Sequence, residues 1–315
     1  MRSISAATSS LSAALLKAAD GAHLAAFSFQ HQRHSLSLVL RPSQQHPLLP
    51  LPDPPTTADD DDAITTNKSA SDIQKTFLKS NINKVAFIRH GNTASASVDF
   101  DRTLTELGRS QSRVAGASFG IQELYPFYEK AALSSTAPRC VETAELFLDS
   151  SLKELEDEPK ENNKAPPLKL LSQLYDGTMQ PEGSRLFRSI GYATLRQYLE
   201  NRNECDAEAA RCVLGEYARV SLDAIWDVAM DHHLQSEETS NEESKPKANN
   251  GCTGKTLLFF AHAIYLPSAA LAFATAVGCG SKSIDLILDT DTKEAEGYCV
   301  HIDTQSISLL HRPEH

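Results

Sequence analysis

The chain has 315 residues, of which 41% are hydrophobic and 23% charged, a mix typical of globular rather than fibrous or disordered proteins. Its net charge is −11, but residues 1–50 hold four basic and one acidic residue, so the other 265 residues carry −14. An acidic body of this kind repels a phosphate backbone, which argues against a nucleic-acid-binding protein. The six cysteines include no C-x-x-C pair and no zinc-ligand spacing, which predicts free thiols in a reducing compartment.

The first part of the chain has the composition of a targeting segment. Residues 1–50 are rich in serine and alanine, poor in acids, and carry scattered arginines and histidines, which is typical of an organellar transit peptide. The serine content favours the chloroplast, with the mitochondrion as the alternative. Residues 51–80 include clustered prolines and four consecutive aspartates, which predict a disordered linker.

We expect one folded domain over residues 81–315. Two stretches in it, near 150–167 and 235–255, are polar, charged and proline-bearing, and are predicted to be surface insertions. Six short apolar runs predict strands, with helical segments between most of them: KVAFIRHG, AALSST, LKLLSQLY, TLLFFAH, EGYCVHID and SISLLHR. Buried strands that alternate with helices favour an α/β fold with a parallel sheet.

One apolar stretch is long enough to cross a bilayer. Leu257 to Cys279 contains no charged residue, but Pro267 falls near its middle and would interrupt a spanning helix. A buried strand over 257–261 followed by a buried helix over about 267–278 explains the same residues. We therefore predict no membrane span.

Basic side chains follow three of the predicted strands. Arg89 and His90 end the first, Arg139 lies a few residues after the second, and His262 closes the fourth. Ligands of open α/β sheets bind at the carboxyl ends of strands. Guanidinium groups bind phosphate oxygens, and a neutral imidazole can act as a nucleophile. The pattern predicts a phosphoryl-binding pocket.

The order of these motifs resembles that of a known family. Arg-His-Gly after a strand, Leu104-Thr105 with Gly108, Ser134-Ser135 with Arg139, and a second strand-end histidine occur in the order found in the histidine phosphatase superfamily, which includes the phosphoglycerate mutases. The segments DFDRTLTELGRSQS and LYDG are most similar to the branch of SixA-type phosphohistidine phosphatases. The resemblance implies a three-layer sandwich with a mainly parallel central sheet.

The resemblance also implies roles for these residues. His90 would attack phosphorus and carry the phosphoryl group as phosphohistidine, while Arg89, Arg139 and His262 would hold the non-bridging oxygens. Asn92 would be a further hydrogen-bond donor to the substrate. Water would then release the phosphate, with no metal and no cofactor taking part.

The sequence departs from the family where a general acid is expected. Many members have a glutamate just after the third strand, but Gln173 stands there, and an amide does not protonate a leaving group. Asp176 is our first candidate for the acid and Glu182 the second. Ala263-Ile264 also replaces the Gly-Gly pair that often follows the second histidine.

The predicted function is that of a metal-independent phosphatase with a phosphohistidine intermediate. Its substrate would be a phosphomonoester or a phosphohistidine, carried by a small molecule or by a protein. A phosphate-shifting mutase is one alternative. A non-catalytic phosphoryl-binding protein is another, because Gln173 and Ala263-Ile264 depart from the pattern of active members.

Overall fold

The computed structural model describes four parts of the chain, which are residues 70–154, 164–175, 181–238 and 254–311. The predicted transit peptide, most of the predicted linker, half of the first insertion and most of the second lie outside the described residues, and so does Asp176. The predictions made for those segments stay predictions.

All six predicted strands are present and form one sheet within the described residues. The strands are β1 (Ile82–Arg89), β2 (Ala132–Ser135), β3 (Leu168–Leu171), β4 (Lys255–Ala261), β5 (Gly297–His301) and β6 (Ser306–Leu310). Their spatial order is β3-β2-β4-β1-β5-β6. The first four run parallel, whereas β5 is antiparallel to both β1 and β6. The predicted, mainly parallel sheet is confirmed.

Helices cover both faces of this sheet. In the described residues they are α1 (Ala70–Lys79), α2 (Glu106–Ala115), α3 (Pro138–Lys153), α4 (Glu182–Ile190), α5 (Leu195–Leu199), α6 (Glu204–Glu238), α7 (Leu266–Ala276) and α8 (Ser281–Asp289). A π-helical segment, Gly116–Leu124, continues α2, and short 3-10 turns occur at Asp99–Asp101 and Ser172–Leu174.

Side chains of β1 alternate between two hydrophobic cores. Val85 and Phe87 pack into the core beneath α1 and α4 to α8, and Ala86 and Ile88 pack into the core beneath α2, the π-helical segment and α3. A strand with apolar residues on both faces needs cover on both faces, and the two helical layers supply it. The three-layer arrangement follows directly from the unbroken apolar run of β1.

The folded part begins earlier than predicted. The linker is predicted to extend to residue 80, and α1 occupies Ala70–Lys79 near its end. Phe77 of α1 is buried, with its ring centroid 5.2 Å from that of Phe273 and 5.9 Å from that of Trp226. The buried ring of Phe77 packs α1 on the core. A single such residue hardly changes the composition of residues 51–80, so composition did not indicate the helix.

The long apolar stretch has the predicted interior structure. Residues 255–261 form the central strand β4, and Leu266–Ala276 form α7 with Pro267 in its first turn. Most of α7 is buried against β1, β5 and α6. No helix in the described parts of the chain is long and apolar enough to cross a membrane.

Two glycines allow the segment after β1 to lie against α2. A Cβ atom on Gly108 would overlap the carbonyl oxygen of Asn92, and one on Gly91 would meet the carbonyl of Gly108. We expect Gly108→Ala to lower the free energy of unfolding by about 1–3 kcal/mol, the usual cost of overpacking. Gly280→Ala is the matched control, because no atom lies within 4 Å of a Cβ there. Urea unfolding of both variants measures this, and equal effects would contradict the account.

Candidate active site

A cavity of about 420 Å³ opens where β1, β2 and β4 end. Five residues predicted from the sequence to bind or transfer phosphate line it together: Arg89, His90, Asn92, Arg139 and His262. They come from segments that are far apart in the chain and meet because parallel strands present their carboxyl ends at one edge. The structure therefore brings the two arginines and the two histidines to a single pocket.

His90 is held as a neutral ring with one free nitrogen. Its Nδ1 lies 2.8 Å from the carbonyl oxygen of Gly91, and since a carbonyl only accepts, Nδ1 donates. Nε2 then keeps its lone pair. Burial, reinforced by the positive charge of Arg139, lowers the pKa of His90 to about 3. The imidazole is therefore uncharged at neutral pH and can act as a nucleophile.

His262 lies beside His90, with 5.5 Å between the ring centroids. Its Nε2 is hydrogen-bonded to the hydroxyl of Ser135 at 2.9 Å, which fixes the ring against the end of β2. Burial and the charge of Arg139 hold the pKa of His262 well below its ordinary value. His262 is thus also neutral and can donate a single hydrogen bond without adding charge.

Arg89 is held by residues of the loop before β5. Its Nη1 donates to the carbonyl oxygen of Thr292 at 2.5 Å, and Nη2 lies 3.5 Å from a carboxylate oxygen of Glu294. The guanidinium also stands 5.4 Å from the ring centroid of Tyr192. Its Nε is buried and has no hydrogen-bond partner. Because the guanidinium lines the cavity, its fixed positive charge favours an anion there.

Arg139 is 2% exposed and is oriented by Asp99. Its two terminal nitrogens donate to the backbone oxygen of Asp99 at 2.6 Å and to a carboxylate oxygen at 2.7 Å. Arg102 contacts the same carboxylate at 3.2 Å. Partial burial acts to raise the pKa of Asp99, but the two guanidinium groups hold it below its usual range. Asp99 is therefore ionised, and the buried Nε of Arg139, like that of Arg89, lacks a partner.

The loop after β1 is fastened by three contacts to the helices behind it. The backbone N–H of Gly91 donates to the hydroxyl of Thr143 at 3.1 Å, and that of Asn92 to the side chain of Gln111 at 2.9 Å. The hydroxyl of Thr105 donates to the amide oxygen of Asn92 at 2.8 Å. This bond uses the amide oxygen of Asn92 and not its amide nitrogen. Arg-His-Gly is held in place before any ligand arrives.

The structure describes only one of the two predicted acids, Glu182. Glu182 is not among the residues that line the cavity, and it pairs with Arg185 at 2.7 Å, a hydrogen bond that lowers its pKa. Asp176 lies outside the described residues. Gln173, in the 3-10 turn after β3, is exposed and does not line the cavity either. Ala263 and Ile264 do line it, as the departure from Gly-Gly suggested.

Four residues that line the cavity are not among the candidates from the sequence. Asp99 and Arg102 belong to the D-x-x-R run of the segment DFDRTLTELGRSQS and form an ion pair with each other. The D-x-x-R spacing is the sequence feature that could have identified both residues. Glu294 and Arg188 line the cavity as well, from a loop before β5 and from α4. No motif marks either residue, because both positions are set by tertiary packing.

The neutral histidines make the fold sensitive to acid. For His90 the folded-state pKa of about 3 lies below the ordinary value of 6.5, so the unfolded chain binds more protons once the pH falls below 6.5. Its contribution to stability is therefore present above that pH and lost progressively as the pH drops. We expect wild type to lose about 2 kcal/mol more than His90→Asn between pH 7 and pH 5. Urea unfolding at both values checks this, and identical losses would contradict it.

The fold and this site together define an α/β protein with a preformed anion pocket centred on a neutral histidine. The family model described as histidine phosphatase superfamily (branch 1) matches residues 85–160, a segment that contains Arg89, His90 and Arg139. The match confirms the predicted resemblance to this superfamily and supports phosphatase-type activity. His262 lies outside the matched segment.

Several solved structures are similar to this chain at low identity. One, assigned as the phosphohistidine phosphatase SixA from Agrobacterium tumefaciens, is 13% identical, with a TM-score of 0.37 over 74% of this chain and 98% of its own. Phosphoserine phosphatase from Entamoeba histolytica is 13% identical, with a TM-score of 0.41 over 74% and 97%. Phosphoglycerate mutase from Bacillus anthracis is 14% identical, with a TM-score of 0.40 over 73% and 93%. No curated protein matches the chain.

Proposed function

We propose that the protein is a metal-independent phosphatase that acts through a phosphohistidine on His90. The observation that carries this proposal is the free Nε2 of a buried, neutral histidine in one cavity with two buried arginines. Hydrogen bonds to the protein fix both arginines, so their positive charge is preorganised for an oxyanion. The substrate is a phosphomonoester or a phosphohistidine.

The proposed reaction has two displacements. In the first, the Nε2 lone pair forms a bond to phosphorus while the bond from phosphorus to the leaving group breaks, and the leaving group takes up a proton. The Nδ1–H bond to the Gly91 carbonyl holds the resulting phosphoimidazole. In the second, water attacks phosphorus and loses a proton, and the bonding pair returns to Nε2. Arg89, Arg139 and His262 stabilise the oxygens in both steps.

Release of inorganic phosphate from a panel of substrates tests this proposal. The panel contains p-nitrophenyl phosphate, phosphorylated metabolites and phosphohistidine peptides, assayed with and without a chelator. We expect turnover of at least one class, unchanged by the chelator. Binding of vanadate without turnover of any substrate would favour the phosphoryl-binding alternative, and transfer of label to a second hydroxyl rather than to water would favour a mutase.

We propose that Asp176 or Glu182 donates the proton to the leaving group. A donor matters most when the leaving group is a poor one, such as an alkoxide, and least for p-nitrophenolate or a phosphohistidine. Asp176→Asn and Glu182→Gln are therefore compared on an alkyl phosphate and on p-nitrophenyl phosphate. The true donor's variant slows only the alkyl phosphate. If neither variant does so, both assignments are wrong.

We propose that residues 1–50 act as a chloroplast transit peptide, based on their composition. A fluorescent protein fused behind residues 1–80 tests it. Import into chloroplasts is the expected result, and import into mitochondria would support the alternative. A cytosolic signal for the fusion would contradict both.

A further inference from the structure

The cavity has a further basic group that comes from helix α4 rather than from a strand end. Four arginines line it, and three of them are next to a carboxylate: Arg89 with Glu294, and Arg102 and Arg139 with Asp99. Arg188 is exposed and makes no ion pair or hydrogen bond with any described residue. A guanidinium left uncompensated at a ligand cavity is available to an anion supplied by the ligand.

The neighbours of Arg188 fit a small organic ligand. Ser184 lies one turn earlier on α4 and lines the same cavity, so its hydroxyl shares a helix face with Arg188. Phe187 and Tyr192 also line it, with 5.0 Å between their ring centroids. Tyr192 is 63% exposed, which is unusual for a large aromatic side chain unless it meets a partner.

The two basic groups belong to different parts of the cavity. Arg89, Arg139, His90 and His262 surround the strand ends, whereas Arg188 comes from α4. A volume of about 420 Å³ falls within the range of small-molecule sites, so it holds a leaving group as well as a phosphoryl group. Tyr192 connects the two parts, since its ring lies against the guanidinium of Arg89.

We propose that Arg188 is a specificity-determining residue that binds a second anionic group on the leaving group of the substrate. The inference rests on the proposed phosphatase function and names its substrate class. This class comprises small phosphomonoesters whose alcohol part carries a carboxylate or a further phosphate. Phe187 and Tyr192 contact the carbon skeleton between the two anions. A phosphohistidine on a protein surface, with no such second anion, is disfavoured.

The test compares two non-hydrolysable ligands by calorimetry at constant ionic strength. Benzylphosphonate offers one anion, and its para-carboxylated analogue offers two. We expect wild type to bind the carboxylated ligand roughly 10-fold more tightly, the size of a charge-assisted contact. Arg188→Gln should abolish that preference, Arg188→Lys should keep part of it, and all three proteins should bind benzylphosphonate equally. Arg113→Gln, which changes an exposed arginine away from the cavity, is the matched control.

The outcome is independent of turnover, so it separates this inference from the proposed function. Equal affinity of wild type for both ligands would overturn the role of Arg188. So would a parallel loss of both affinities in Arg188→Gln, because it would place Arg188 at the phosphoryl group. If the protein hydrolyses substrates, phenyl and carboxyphenyl phosphate give the matching kinetic readout: Arg188→Gln should raise KM for the carboxylated substrate and leave kcat unchanged.

Discussion

His90→Ala is expected to lower kcat by at least about 1,000-fold on every substrate that the protein hydrolyses. The substitution removes the Nε2 lone pair, which is fixed and unprotonated in the cavity that both arginines line. No general-base route replaces it readily, because His262 is engaged with Ser135 at 2.9 Å. Steady-state kinetics with p-nitrophenyl phosphate measures the effect.

The control separates chemistry from folding. His90→Asn keeps a polar side chain of similar size, and both variants are checked by circular dichroism and by vanadate binding. An inactive variant that still folds and binds vanadate supports a nucleophilic role. Activity within 10-fold of wild type in a folded variant would exclude His90 as the nucleophile.

Arg139→Gln is expected to lower kcat by about 100- to 1,000-fold, the usual effect of removing one oxyanion donor. Arg139 is 2% exposed, and Asp99 holds its terminal nitrogens through two hydrogen bonds. Its charge and its Nε are therefore already in place when a phosphoryl group enters, so the loss falls on kcat more than on KM.

A further variant shows whether the planar geometry of the guanidinium or only its charge matters at this position, and a second one serves as the control. Arg139→Lys keeps the charge but loses the planar geometry, and we expect it to recover only part of the activity. Arg113→Gln changes an exposed arginine on α2 and should behave as wild type. Full activity in Arg139→Lys would show that the hydrogen bonds to Asp99 are not needed for catalysis.

The centre of the sheet was predictable because its strands β1 and β4 are short, largely buried apolar runs. The sequences of β1 and β4 are apolar on both faces, and this pattern distinguishes a central parallel strand from an exposed one. The same property placed Arg89, His90 and His262 at strand ends, so the centre of the site could be found without coordinates. Strand order and the antiparallel edge β5-β6 could not be derived in this way, since pairing depends on contacts across the chain.

The outer part of the cavity was beyond sequence reasoning for a physical reason. Arg188 and Glu294 come from α4, which packs on α6, and from the loop before β5, which is hydrogen-bonded to the end of β1, so tertiary packing brings both to the cavity. Nothing in the local sequence distinguishes them from other exposed charged residues. Asp99 is different, because its spacing to Arg102 was visible, whereas its hydrogen bonds to Arg139 connect positions forty residues apart.

Carboxylates compensate part of the positive charge of the arginines in the site. Asp99 and Glu294 each lie against arginines that also face the cavity, so the fold tolerates several buried guanidinium groups without a ligand. The two histidines add no charge of their own, because burial keeps both neutral. The pocket thus keeps a preorganised positive charge for an incoming phosphoryl group.

Trapping of the covalent intermediate shows whether His90 is the nucleophile. The protein is incubated with a radiolabelled phosphodonor, quenched in base within one turnover, and digested for mass spectrometry. We expect base-stable, acid-labile phosphate on His90 in wild type, formed at least as fast as phosphate is released, and none in His90→Asn. Phosphate on another residue, or turnover with no labelled protein at any time, would contradict it.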